Sequence, residues 1–505
     1  MHFTDPPPVP ASSITKEPTA PAGPWWRELN RYHWFVLVVA ALGWLFDTMD
    51  QQLFTLARTP AMRELVAPAR PAVDLEKLTA EQKEEVRKAE AEAKNKVNAY
   101  SGYATAIFLI GWASGGVAFG ILGDRIGRAR TMVLTILAYS MCTGLSALSV
   151  GFWDFALYRF LTGLGVGGEF AVGVSLVAEA MPDRARPHAL GWLQALSAVG
   201  NVTAALIVMG LSAESATAAI AQVSRWLFGP EAHAPAAWRI MFVVGTLPAL
   251  LALPIMRRLK EPERWRSVAV TDELSQQLGS LRALFGTPRW RHNALVGLAL
   301  AFAGVVGLWG IGFFNVDLIA RVAEPAFKEQ GLVGADLDRK VGFWVGITSL
   351  MQNVGGFFGI QAYMWLTNRT NRRSAFAVSF VVAAASTALN FLFVGKVLGV
   401  YDVLWLAPLM GACQLAMFGG YAIYFPELFP TRLRSTGTSF CYNMGRFVAA
   451  VGPYMLGYLT GRVFTGYSDP ATPFRLAGVT MCSVFLLGLV ALPFAPETKG
   501  QPLPE

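Results

Sequence analysis

Charge is what this 505-residue chain has least of: 42 Lys and Arg with 34 Asp and Glu make up 15% of it, where a soluble globule carries about 25%. That deficit excludes a set of water-soluble domains. Cysteine is scarce as well. Cys142, Cys413, Cys441 and Cys482 all lie inside apolar runs, where a thiol serves as a small hydrophobe, and their spacing offers neither a disulfide framework nor a metal-ligand set. The five histidines, His2, His33, His188, His233 and His292, form no His-x-x-x-His or His-Glu pair. Neither a nucleophile elbow nor a phosphate-binding Gly-x-x-x-x-Gly-Lys-Ser/Thr loop occurs. The chain therefore reads as a non-enzyme with no cofactor and no metal.

What is present is apolar sequence, 54% of the residues, at a mean hydropathy of +0.42. That is enough for twelve spans of about 20 residues each. The runs fall at 33–57, 100–122, 131–150, 153–181, 188–211, 238–256, 293–320, 341–366, 374–396, 402–425, 435–461 and 474–494. They are continuous, unlike the alternating ten-residue strands of a membrane barrel. The first run follows a Pro-rich polar stretch and is too long for a cleaved signal peptide, so it is expected as a retained helix.

The net charge of +8 does not point to nucleic acid, because the basic residues sit between the hydrophobic runs. Arg125, Arg128 and Arg130 follow the second run, Arg184 and Arg186 the fourth, Arg369, Arg372 and Arg373 the eighth, and Arg432 and Arg434 the tenth. By the positive-inside rule these loops and both termini are cytoplasmic in a plasma or inner membrane. The expected organisation is a polar tail 1–32, a six-helix bundle 33–256, a cytoplasmic loop 257–292, a second bundle 293–495 and a tail 496–505. Within the first bundle, 58–99 is expected as an external loop bearing nine basic and eight acidic residues. Thr79-Ala-Glu81-Gln-Lys reads there as a helix start, with acids in the first turn and bases later. Trp25, Trp26, Trp34, Trp153 and Trp238 fall at span ends and read as interfacial anchors.

The chain repeats itself. Gly123-Asp124-Arg125-Ile126-Gly127-Arg128 has an echo in Thr367-Asn368-Arg369-Thr370-Asn371-Arg372, and Glu179-x-x-Pro182-x-Arg184-x-Arg186 recurs as Glu427-x-x-Pro430-x-Arg432-x-Arg434. Pro262-Glu263 recurs as Pro496-Glu497. Three signatures in one order at nearly one offset imply two homologous six-helix halves.

Together these motifs resemble the major facilitator superfamily. The loop Gly120-Ile-Leu-Gly-Asp124-Arg125-Ile-Gly127-Arg128-Ala-Arg130 is similar to its signature loop. Arg159-Phe-Leu-Thr-Gly163-Leu-Gly165-Val-Gly167-Gly168-Glu169, the two Glu-x-x-Pro-x-x-x-Arg elements and the Pro-Glu closings resemble its sugar-porter-related branch. That branch holds sugar carriers and aromatic-acid or other metabolite:proton symporters. The resemblance implies an all-α membrane protein of twelve transmembrane helices, with two bundles rocking about a central site. It also implies a cytoplasmic gate built from Gly120, Asp124, Arg125, Gly127, Arg128, Arg130, Glu179, Arg186, Glu263, Glu427, Arg434 and Glu497. Asn368 and Asn371 depart from the family pattern in the second half, where it has Asp and Gly.

An ionisable residue inside a span is a functional candidate because hydrocarbon tolerates it only beside a partner or a polar cavity. Asp47 and Asp50 share a face of the first span, and two carboxylates in a low-dielectric site resist being ionised together, which suits proton coupling. The resemblance to aromatic-acid symporters, which carry Asp-x-x-Asp in the first span, supports that role. Arg159 and Glu169 lie about 15 Å apart on the fourth span, so each needs a partner on another helix. Arg446 suits an anionic substrate, because guanidinium binds carboxylate bidentately. Gln194, Asn201, Trp309, Asp317, Gln352, Asn353 and Asn443 complete the cavity candidates, with Asn315 beside Asp317 on the seventh run. Sugar porters show a Gln-Gln pair in the seventh span, and none occurs between Asn293 and Ala320. The expected function is proton-coupled symport of a small organic acid by a monomer in the lipid bilayer. A sugar carrier, a proton-coupled exporter and a transporter-derived sensor are the alternatives.

Overall fold

The computed structural model describes residues 23–66, 79–211, 236–271, 275–467 and 471–505, with isolated positions 218–220, 222, 225 and 469. The tail 1–22 and the middle of the charged loop, 67–78, lie outside the described residues. Helices account for nearly all the ordered backbone, and no strand occurs among the described residues.

Twelve membrane helices follow one another. The first six are α1 Arg31–Val66, α2 Ala80–Ile126, α3 Arg128–Ser146, α4 Phe152–Ala180, α5 Arg186–Leu211 and α6 Ala237–Arg258. The second six are α7 Pro288–Glu329, α8 Gly334–Arg369, α9 Arg372–Phe393, α10 Gly399–Glu427, α11 Arg434–Ala449 with its continuation Gly452–Tyr458, and α12 Thr472–Phe494. Among the described residues, nine of them are long and apolar enough to span a bilayer by length and composition alone. Helices α3, α8 and α11 carry more polar residues and take their places from the bundle. Helix α7 is broken at Gly310–Phe314, where the α-helix gives way to a 3-10 turn. Such an interruption is tolerated in a membrane only where it lines a cavity.

The charged loop is shorter than its sequence implies. Helix α1 runs on to Val66, and α2 begins at Ala80, far outside the apolar run. Thr79 caps it in a reciprocal capping box: its hydroxyl accepts from Gln82 N, and the Gln82 side chain accepts from Thr79 N. At 47 residues, α2 is about 70 Å long, so its charged start extends one span rather than forming a separate element.

Helix packing in lipid gains nothing from burying apolar surface against apolar solvent, so close backbone approach carries it. Gly111 and Gly115 of α2 lie against the backbone of Phe160 and Leu164, while Gly163 and Gly167 of α4 lie against that of Phe108 and Trp112. The second half repeats the arrangement. Gly355 and Gly359 of α8 meet the backbone of Pro408 and Ala412, and Gly411 of α10 meets that of Gln352. Two facing small-residue seams thus hold α2 to α4 and α8 to α10.

Candidate functional site

Between the halves lies a central cavity with about 100 Å³ open to the centres of water molecules, room for several waters or a small organic molecule. Helix α1 supplies Trp44, Thr48, Gln51, Gln52 and Thr55, and α5 supplies Gln194, Ser197 and Asn201. Across the cavity stand Trp309 and Gly312 at the break in α7, Gln352 and Asn353 of α8, and Arg446 of α11. Two bonds cross from one half to the other at its edge: Gln52 Nε2 donates to Ser349 Oγ at 3.0 Å, and Asn201 Nδ2 to Asn353 Oδ1 at 2.7 Å.

Arg446 does not snorkel; it is fully buried. Its guanidinium carbon lies 4.0 Å from the ring centre of Trp112 and 4.4 Å from that of Tyr442. Nη1 donates to Tyr442 O and Asn443 Oδ1, and Nε has no partner among the described residues. Trp309 stands edge-on to Trp112 at 5.1 Å. A cation held against aromatic faces beside a cavity, with a donor unused, is equipped to take a planar anion.

Not every sequence candidate lines this space. Gln194, Asn201, Trp309, Gln352, Asn353 and Arg446 do. Asp47 stands one step back, reached through Gln51, whose Nε2 donates to Asp47 Oδ2 at 3.1 Å. Asp50, Arg159 and Glu169 form a buried layer behind it. Arg159 Nη1 is 3.8 Å from Asp50 Oδ2 and its other nitrogens donate to Ser146 Oγ, while Thr135 Oγ1 donates to Glu169 Oε2 at 2.5 Å. Gly43 leaves room for the other Glu169 oxygen. Asn443 is spent on the seam between halves, donating to Gly167 O and Ser439 Oγ, so it is not a cavity residue. Asp317 also lies off the cavity, within electrostatic reach of Arg58 and Arg321. Trp238, expected as an interfacial anchor, is buried and donates to Glu64. Gln51 and Gln52 were legible as polar residues inside a span. Trp112 carried no signal, because only packing brings its ring to Arg446.

The gate candidates gather at the side where α2 ends. Asp124 Oδ1 accepts from Ser435 N, and Oδ2 from Thr436 N and Oγ1, at 3.1, 2.9 and 2.6 Å, all across the two halves. Glu179 Oε1 is shared by Arg128 of its own half at 2.9 Å and Arg434 of the other at 2.8 Å. Gly127, at φ 109°, turns the chain between α2 and α3 where a side chain would be strained. Gly120 lets α2 lie against Ser439, and Arg125 Nε reaches Leu278 O.

The second half answers only in part. Arg372 donates to both Glu427 oxygens, at 3.1 and 2.8 Å, within its own half. Arg186 bonds Ala178 O and Asp183 and lies within electrostatic reach of Glu427 across the halves, with no ion pair to it among the described residues. Asn368, standing where the first half has Asp124, reaches across to His188 Nε2 at 3.4 Å.

One expected pairing is corrected. Glu497 accepts from the backbone N–H of Arg372 and Arg373 at the start of α9. Its counterpart at the start of α3 is Glu261, which accepts from the N–H groups of Arg128, Ala129 and Arg130. Glu263, aligned by the Pro-Glu repeat, instead opens the short helix Glu263–Val270 and makes no ion pair among the described residues. Both acids sit at a helix N-terminus, where exposed N–H groups and the helix dipole favour an anion.

Two six-helix halves about a polar central cavity, locked on one side by a charge lattice, define a multi-pass membrane transporter of the major facilitator fold. The comparisons agree. Residues 75–287 match the family described as Sugar (and other) transporter. A protein of Haemophilus influenzae named "Putative metabolite transport protein" is 29% identical over 482 residues, 94% of this chain and 99% of the other. A "Probable 4-methylmuconolactone transporter" of Cupriavidus pinatubonensis is 29% identical over 394 residues, 78% and 81% of the two chains. A solved structure of a proton:xylose symporter superposes with a TM-score of 0.61 at 18% identity, over 94% of this chain and 98% of that one. The chain is thus similar to transporters of the sugar-porter-related kind and shares the major facilitator fold.

Proposed function

We propose that the protein is a monomeric symporter that couples proton entry to import of a small organic acid across a plasma or inner membrane, with both termini cytoplasmic. The bundles 33–256 and 293–495 rock about the cavity, joined by the loop 257–292 and flanked by the cytoplasmic tails 1–32 and 496–505. The observation that carries this reading is the buried Arg446 guanidinium at the cavity, with Asp47 one side chain behind the opposite wall. A carboxylate entering the cavity gains a bidentate partner in Arg446, and the acid layer behind α1 offers a seat for the proton. The relative named for 4-methylmuconolactone supports a small organic metabolite as cargo.

The amides Gln52, Gln194, Asn201, Gln352 and Asn353 around the same cavity favour a second reading, an acid that also bears hydroxyls. The test is uptake into proteoliposomes of radiolabelled benzoate, nicotinate, cis,cis-muconate, N-acetylneuraminate and glucose, with and without an inward proton gradient. Gradient-stimulated uptake of one of the acids is expected. Uptake of glucose alone, or uptake of an acid indifferent to the gradient, refutes the proposal.

A further inference from the structure

Helix α3 carries a polar stripe that no transport role above accounts for. Thr135, Tyr139, Thr143 and Ser146 are spaced four, four and three apart, which sets them on one helix face, and all four are fully buried. Three are engaged with ionisable side chains of other helices. Thr135 Oγ1 donates to Glu169 Oε2, Thr143 Oγ1 donates to Asp50 Oδ1 at 2.8 Å, and Ser146 Oγ accepts from Arg159 at 2.9 and 2.7 Å. Tyr139, between them, has a hydroxyl bonded to no other helix among the described residues, with Ser140 of its own helix as its side-chain neighbour, and its electrostatic neighbours are Glu169, Asp47 and Asp50. Gly165 of α4 lies against Tyr139 N and Cβ, so the backbone at this point is tightly held.

A buried hydroxyl with no partner on another helix is costly to keep, and phenylalanine in its place would avoid that cost. None of Thr135, Tyr139, Thr143, Asp47, Asp50 and Glu169 lines the cavity. Gln51 links the two regions, lining the cavity and donating to Asp47. The nearby cations are Arg159, beside Asp50, and Arg446, which faces Asp47 from α11.

We propose that the Tyr139 hydroxyl relays the transported proton between Asp50 and the Asp47–Glu169 pair, on a path separate from the substrate cavity. The proposal rests on the proton-coupled reading above. In the step, a protonated Asp50 carboxyl gives its proton to the phenol oxygen as the phenol O–H gives its own to the Asp47 or Glu169 carboxylate. Tyr139 ends neutral, as it began; one carboxyl has lost a proton and another has gained it. Gln51 then passes the charge state of Asp47 to the cavity, since a carboxylate accepts its N–H more strongly than a carboxylic acid does.

The experiment uses the full chain in proteoliposomes, with benzoate as the probe, or with nicotinate or cis,cis-muconate where the uptake panel selects one of them. Tyr139→Phe is expected to lower gradient-driven net uptake at least tenfold, with lumen acidification falling in step. Exchange of labelled for unlabelled probe without a gradient stays within twofold of the unmodified protein. Thr143→Val, which cuts the stripe at its next position, shows the same split. Net uptake unchanged in both variants overturns the relay, and so does an equal loss of net uptake and exchange. If the unmodified protein exchanges the probe but ignores the gradient, the proton-coupled reading itself has failed and the relay falls with it; that result precedes any variant.

Discussion

Replacing Asp124 with Asn tests whether the charge lattice closes one side of the transporter. Asp124 is fully buried at the end of α2, and the three bonds it accepts from Ser435 and Thr436 exist only while the halves are together on that side. Hydrogen bonds to a charged group contribute about 1.5–3 kcal/mol each. Asparagine keeps one oxygen, which in the place of Oδ2 still accepts from Thr436, but it turns its N–H₂ group toward the Ser435 N–H, so at least one of the three bonds is lost. The pairing of Arg128 with Asp124, at 3.0 Å, lies within one half and does not distinguish open from closed. The closed state therefore loses at least about 1.5 kcal/mol relative to the open one, a shift of roughly tenfold or more at 1.4 kcal/mol per tenfold. Val172 is fully buried at this seam, beside Gly123, whose other neighbour is Ser435. In a background without the four native cysteines, a Val172→Cys reporter should label with a membrane-impermeant maleimide ten- to a hundredfold faster, as an order-of-magnitude range, once Asp124→Asn is added. The reagent is applied from the side that bears the chain termini. A rate within twofold of the parent would refute the gate.

Three further outcomes follow from the geometry. Arg446→Lys keeps the charge but loses the planar fork stacked on Trp112 and Tyr442, so KM for the substrate that the uptake panel selects should rise at least about tenfold with the protein still monodisperse on a sizing column. Gly359→Leu forces a side chain into the backbone of Ala412 and should destabilise the chain by about 3 kcal/mol or more, seen as loss of the monodisperse peak. Gly346→Leu on the same helix meets nothing and should be tolerated. Burial opposes the charge on Glu497, but the N–H groups of Lys499, Arg372 and Arg373 and the Arg372 charge outweigh it and hold the carboxyl below its ordinary 4.5. A lowered value means that the stabilisation is complete above 4.5 and vanishes as pH falls through the folded value. Glu497→Gln should thus lower the melting temperature at neutral pH, with the gap closing in strong acid.

Much of the architecture follows from local signals. The span count comes from apolar runs, the two halves from Glu179/Glu427 and Arg128/Arg372, and a helix start at Thr79 from the acids that follow it, though not that this helix runs on into the second span. The same repeat extends to the packing glycines, Gly111 and Gly115 against Gly355 and Gly359, where the spacing is legible but the facing backbone is not. The Pro-Glu repeat misleads at Glu263, because its alignment matches residue types, whereas the site at the start of α3 needs an acid wherever the returning chain happens to pass, and that is Glu261.

Sequence alone determined a twelve-span, twofold-repeated membrane protein with acids in its first and fourth spans, because periodicity, topology charges and repeat spacing are properties of neighbours along the chain. Tertiary structure decided which of those acids face the cavity. Asp47 reaches it through Gln51, Asp50 and Glu169 turn toward the hydroxyls of α3, and Arg446 is held between rings from α2 and α11. Each is a meeting of side chains from different helices, set by how closely small residues let the backbones approach, and no single stretch of sequence contains it.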